Sequence, residues 1–172
     1  FNWIPFYHEV AEKLLAYKKN RKSLLEWIYG AIDGTFTTYL HESDGSHLND
    51  IDPFTVFGIF NRGITDENRI LIASQFKSFF SIQADVPNSF AGIPVLDNRK
   101  SHFFGFREHR ADNDIDNLWD LFEKALTMPY EIEPIFNTVR KQFIVNVNIT
   151  MGLYWILPES FIALDSRNRN YL

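Results

Sequence analysis

The chain has no cysteine, so disulfide frameworks, thiolate zinc sites and thiol nucleophiles are excluded by composition alone. That absence agrees with a reducing compartment, and the expected location is the cytoplasm. No apolar run approaches the roughly 20 residues of a membrane-spanning helix, and the first residues lack the basic-then-apolar pattern of a secretory signal, so no membrane partner is expected. Five histidines, His8, His41, His47, His102 and His109, are scattered without H-x-x-x-H or carboxylate pairing at ligand spacing, and no metal is expected. There is no G-x-x-x-x-G-K-S/T stretch, so the chain has no phosphate-cradling loop, and neither nucleotide hydrolysis nor a cofactor is expected of it. Internal repeats, low-complexity tracts and strong strand alternation are also missing.

Aromatic residues are abundant. The 172 residues include 17 Phe, and aromatics make up 16% of the chain, which is more ring surface than one domain's core ordinarily needs. Some rings are therefore expected to line a cleft. The length fits one compact domain. Because the sequence opens on Phe1 and stops at Leu172 within a helix-like stretch, it is expected to be a fragment of a longer protein.

A net charge of -5 argues against a uniformly basic nucleic-acid binder, but the charge is segregated. The stretch "NRKSHFFGFREHR", Asn98 to Arg110, carries Arg99, Lys100, Arg107 and Arg110 against Glu108. The next stretch, Ala111 to Pro134, carries seven acids against Lys124. One face can thus be basic while the whole chain is acidic.

Periodicity predicts a mainly α multi-helix domain with long loops. Val10, Leu14 and Leu15 follow Pro5 at helical spacing, and a second helix runs through Leu24, Leu25, Ile28 and Ile32 to a stop at Gly34. Residues 35–51 read as a polar loop, with a short hairpin around Phe36 to Leu40. Asp52 and Pro53 cap and open a helix through Phe54, Phe57 and Phe60 that ends at Gly63, and Thr65 caps the next helix, with Asp66 and Glu67 at its positive end. Val86 to Asn98 is expected to be extended loop. Asp114 is expected to cap "IDNLWDLFEKAL", the cleanest amphipathic stripe in the chain. Pro134 opens a helix through Phe143; "FIVNV", Phe143 to Val147, has the β-branched content of a short strand; and a last helix covers Ile149 to Ile156.

Taken in order, "IDPFTVFGIFNRGITDENRI", "FAGIPVLDNRKSHFFGF", "DIDNLWDLFEKAL" and "TMGLYWILPESFIALDSRNRNYL" resemble the region ahead of the AAA+ motor in McrB-like proteins of modification-dependent (5-methylcytosine-type) restriction systems. The resemblance covers nearly the whole chain. It implies an N-terminal module that recognises double-stranded DNA through a modified base, while its own GTP-hydrolysing motor and a separate nuclease subunit act elsewhere. A fainter similarity is to helix-hairpin-helix DNA glycosylases, carried by Pro53-Phe54, the helix Thr150 to Ile156, and "IALDSRNR". There the chain has Val145, Asn146, Val147 and Asn148 where that family's hairpin has glycines, and Ile149 where some members have a lysine nucleophile.

Phosphate binding needs cationic donors, and an extruded base needs an aromatic face. The loop "NRKSHFFGFREHR" interleaves the two. Arg99, Lys100, Arg107 and Arg110, with Arg167 and Arg169 from the C-terminal segment, are expected to hold phosphate. His102, Phe103, Phe104 and Phe106 are expected at the base, His102 standing where the resemblance implies Trp. In the competing reading Phe103 and Phe104 pin the loop to the core and the charges are merely solvated. Asp165 is the one residue with a positional case for glycosylase chemistry, where a carboxylate stabilises an oxocarbenium-like centre, but an Asp ahead of a polar segment is also a helix cap. Asn61 and Arg62 in "FNRG" can reach a ligand or end a helix, and "KKNRK", Lys18 to Lys22, can bind phosphate or be a solvated helix end. The leading expectation is a non-catalytic DNA-binding module; the alternatives are a base-excising domain using Asp165 and a protein-docking module using an exposed stripe on the acidic helix Asp114 to Leu126.

Overall fold

Helical caps and apolar spacing set the elements. In the computed structural model, which describes residues 1–99 and 101–164, eight α-helices occur among the described residues: α1 (Ile4–Leu15), α2 (Arg21–Ala31), α3 (Gly34–Thr37), α4 (Pro53–Gly58), α5 (Asp66–Phe80), α6 (Asp114–Thr127), α7 (Glu133–Val139) and α8 (Asn148–Ile156). A 3-10 turn, Pro129–Glu131, joins α6 to α7. There are no strands among the described residues, only isolated bridges from His41 to His47 and from Arg62 to Leu96. No helix among them is long and apolar enough to cross a membrane.

The centre of the core is α4, all six of whose residues are buried. It can be short because its start is strongly fixed. Asp52 accepts from the backbone N–H groups of Phe54 (2.8 Å) and Thr55 (3.0 Å) and from the Thr55 hydroxyl, satisfying donors that a buried helix end would otherwise leave orphaned. Helices α6 and α8 pack on α4, and α1 packs on α5, α6 and α8. Gly152 of α8 lets Phe54 come so close that a Cβ there would lie 2.5 Å from the ring. Rings fill the interior: Tyr7 lies 5.2 Å from Phe60, Phe60 4.7 Å from Phe76, and Trp27 stacks on Phe79 at 4.2 Å. Each fully buried Phe contributes roughly 1.5–3 kcal/mol of apolar transfer, so the aromatic excess is largely absorbed by this one core.

The acidic helix turns its apolar stripe inward. Ile115, Leu118, Trp119, Leu121, Phe122 and Ala125 are buried, and the Trp119 indole donates to the Ile51 carbonyl at 2.9 Å. Its outer acids meet the first basic run: Lys18 pairs with Asp120 (2.8 Å) and Glu123 (3.3 Å), and Arg21 with Asp116 (2.7 Å) and Asp50 (3.1 Å). Part of "KKNRK" is therefore an internal counter-charge, and the exposed stripe required by the docking alternative is not present.

Several local expectations are corrected. Residues 34–37 form a helical turn, capped by Asp33 accepting from Thr35 N–H at 2.8 Å, in place of the expected hairpin. Helix α4 ends at Gly58, short of Gly63, because Asn61 turns inward: its amide donates to the Phe57 carbonyl (2.8 Å) and accepts from the Tyr7 hydroxyl (2.6 Å). Asp114 is the first residue of α6, with its carboxylate accepting from the Ala111 N–H at 3.0 Å. Helix α7 stops at Val139, and "FIVNV" is no strand, since Ile144 (φ 62°) and Asn146 (φ 47°) are left-handed. That conformation breaks the extended geometry a strand needs.

Candidate functional site

Three segments with no regular structure meet in a cavity of about 510 Å³. Residues 39–41 follow α3, residues 98–99 and 101–106 belong to the long loop before α6, and residues 143–146 form the turn between α7 and α8; together they supply Tyr39, His41, His102, Phe104, Phe106 and Phe143, with Asn98, Arg99, Ser101 and Asn146 as polar lining. The volume lies within the range of small-molecule sites.

Each wall is held by a buried anchor. The long loop is tied to the helices through three donors: Trp3 to the Ala91 carbonyl (3.2 Å), Trp155 to that of Pro94 (2.8 Å), and Leu96 N–H to that of Asn61 (2.8 Å). Further on, the Phe103 N–H donates to Thr55 Oγ1 at 3.1 Å, which links the loop to the capped start of α4. Arg62 binds two walls at once. Its guanidinium carbon is 3.7 Å from the Tyr39 ring centroid, its Nε donates to Ser101 Oγ (3.2 Å), and a terminal nitrogen donates to the Phe36 carbonyl (3.1 Å). Such a stacked and forked contact uses the planar guanidinium in a way lysine does not.

Glu42 is the second anchor. It is 1% exposed, pairs with Arg110 at 2.8 Å, and accepts from the Arg107 N–H at 2.8 Å. His41 and Phe106 are the neighbours in sequence of these two bonded residues, and their rings stack at 6.3 Å across the cavity. The His102 ring lies 5.6 Å from both Tyr39 and Phe104, and its Nε2–H donates to the Tyr39 carbonyl at 2.8 Å. Burial lowers the His102 pKa from its ordinary value, so the ring is neutral at neutral pH. Burial likewise raises the Tyr39 phenol, which stays protonated.

The third wall stores strain. Ile144 is a β-branched residue at φ 62°, a conformation that costs of order 1–3 kcal/mol and that clusters at functional positions. Next to it Phe143, 51% exposed, leans over Gly105, where a Cβ would meet its ring at 2.6 Å. Phe143 and Phe106, the latter 36% exposed, give the cavity an aromatic mouth open to solvent.

The expected site residues separate into distinct groups. His102, Phe104, Phe106 and Arg99 line the cavity, and Arg99 is also paired with Asp97 at 2.9 Å. Arg107 has its side chain exposed just beyond it. Arg110, expected to face phosphate, is instead 12% exposed and bound to Glu42. Phe103, expected at the base, is in the core, 5.7 Å from Phe54 and 6.1 Å from Trp155. Phe104, though it borders the cavity, is 1% exposed, so Phe103 and Phe104 both pin the loop as the competing reading has it, and Phe106 is the half-open ring of the loop. Lys100, Asp165, Arg167 and Arg169 lie outside the described residues. Among those described, no cluster of three His, Asp or Glu residues has the geometry of a metal site. Sequence reasoning missed Tyr39, His41, Asn98, Phe143, Ile144 and Asn146. The signal available was the unexplained pairing of aromatic with small polar residues in "YLH" and "FIVN", in stretches read as loop and strand.

The fold and site define a compact all-α domain with an aromatic cavity walled by three loops. From residue 3 to residue 172 the chain matches the model of the family described as a domain of unknown function, DUF8425, and it belongs to that family. No curated protein and no solved structure matches it significantly.

Proposed function

We propose that the domain binds DNA and holds one unstacked base in the aromatic cavity, as the recognition module of a McrB-like, modification-dependent restriction system. The observation that carries this reading is the cavity itself: a ring-walled space of about 510 Å³ with two half-open rings, Phe106 and Phe143, at its mouth. A flat heterocycle is bound by stacking on such faces, and a base reaches them once it leaves the helix. The exposed Arg107, and Arg99 if it releases Asp97, would supply the charge for the flanking phosphates. The module reads and does not cut; any nucleotide-driven step belongs to a motor elsewhere in the parent protein, which acts with a nuclease partner.

Affinity for a short duplex carrying one modified base tests this. Phe106→Ala and Phe143→Ala remove half-open rings, so the fold is expected to survive while each lowers affinity for the modified duplex about tenfold, in line with stacking energies. Arg107→Ala is expected to weaken all duplexes alike and to reduce the salt slope by about one contact's worth. Wild-type affinity in both Phe variants would remove the cavity from DNA recognition.

A further inference from the structure

Five of the described residues have a left-handed backbone: Gly45, Ser81, Gly92, Ile144 and Asn146. Glycine and asparagine adopt that conformation readily, and Ser81 takes it as the C-cap of α5, where it is common. Ile144 is the exception, because a β-branched side chain crowds its own backbone at φ 62°. Core packing does not explain its presence. Val145 is fully buried, whereas Ile144 is partly buried and belongs neither to the hydrophobic core nor to the residues packed against it. Nor is its side chain needed to hold the turn, which is anchored on both sides: Gln142 donates to the Asp114 carbonyl at 3.0 Å and accepts from the Asn117 amide at 2.9 Å, and the Val145 N–H donates to the Gln142 carbonyl at 3.3 Å. Ile144 lines the cavity, and among the described lining residues it is the only aliphatic side chain.

We infer that Ile144 is a binding residue of this cavity, held in a strained conformation so that its side chain gives an apolar contact to the flat ring bound there, at a cost in stability to the free domain. This rests on the reading of the cavity as a base pocket. Strain of this kind persists only where the surrounding structure over-determines it, as Gln142 and Val145 do here, and it is expected at sites that are shaped before the ligand arrives. A residue kept for binding rather than folding is one whose replacement stabilises the fold while weakening function.

Ile144→Gly and Ile144→Asn test the inference, since both new residues tolerate a left-handed backbone and neither keeps the aliphatic side chain. Urea midpoints are measured for each, together with affinity for two duplexes of one sequence: one carries 5-methylcytosine opposite an abasic analogue, and the other is abasic at both positions. The ratio of the two affinities separates the base from the phosphate contacts. Both variants are expected to raise the urea midpoint, Asn more than Gly because glycine adds freedom to the unfolded chain. Both are expected to lower the affinity ratio about fivefold, in line with losing part of an isoleucine's apolar contact. A lower midpoint in both variants would show that the side chain serves the fold, and would overturn the inference. A wild-type ratio in both would overturn it as well. Phe106→Ala tests the pocket separately: if it brings the ratio to one while the Ile144 variants keep the wild-type value, the pocket stands and the inference falls. A ratio of one in the wild-type protein removes the pocket and the inference with it.

Discussion

Removing Glu42 should loosen the fold and the cavity together. In Glu42→Ala the Arg110 guanidinium, 12% exposed, loses its ion-pair partner at 2.8 Å, and the Arg107 N–H loses its acceptor. Breaking a buried pair by deleting one partner typically costs about 3–5 kcal/mol. Arg110 retains the Gly105 carbonyl at 3.3 Å and the face of Phe104 at 5.4 Å, which places the expected loss near the lower end of that range, at about 3 kcal/mol. Glu42→Gln keeps an acceptor but not the charge, so roughly 1–2 kcal/mol is expected. In Glu42→Ala with Arg110→Met neither charge remains, and the loss should be smaller than the sum of the two single losses by at least about 1 kcal/mol. Urea unfolding of the five proteins, wild type, Glu42→Ala, Glu42→Gln, Arg110→Met and the double variant, at constant m-value measures all of this. A Glu42→Ala loss below about 1 kcal/mol, or strictly additive losses in the double variant, would show that the pair does not hold the loops. If the pair does hold them, the folded Glu42→Gln protein should also bind a modified duplex more weakly, because His41 and Phe106 are neighbours of the two bonded residues.

Two further outcomes follow from the packing and charge of the same region. Gly105→Ala places a methyl 2.6 Å from the Phe143 ring, which is half exposed and free to swing outward, so stability should fall by less than about 1 kcal/mol while duplex affinity drops; a thermal shift with unchanged affinity would mean that Phe143 is not part of the binding wall. Burial raises the Asp52 carboxyl to about 6, above its unfolded value, so the folded state holds the proton more tightly. The resulting stability is fully present below about pH 4 and is lost as pH rises through about 6. Asp52→Asn should flatten that part of the urea-midpoint profile, and a profile identical to wild type would refute the assignment.

Helix class and most helix positions were determined by the sequence, because caps and apolar spacing are local. Asp52-Pro53, Thr65 and the Ile115 to Ala125 stripe act within a turn or two of their own positions, and each starts or orients its helix largely as those rules require. The loop "NRKSHFFGFREHR" was visible as a candidate site through its composition. Which of its residues face the cavity was not, since a phenylalanine or an arginine reads the same whether it serves core or surface. The distant partners decide: Thr55 and Trp155 draw Phe103 inward, and Glu42, 68 positions from Arg110, removes that arginine from the free charges. Only the tertiary structure brings Tyr39, His102 and Phe143 to one cavity, and only it sets the His102 tautomer, because the carbonyl that fixes the His102 ring belongs to a residue 63 positions away.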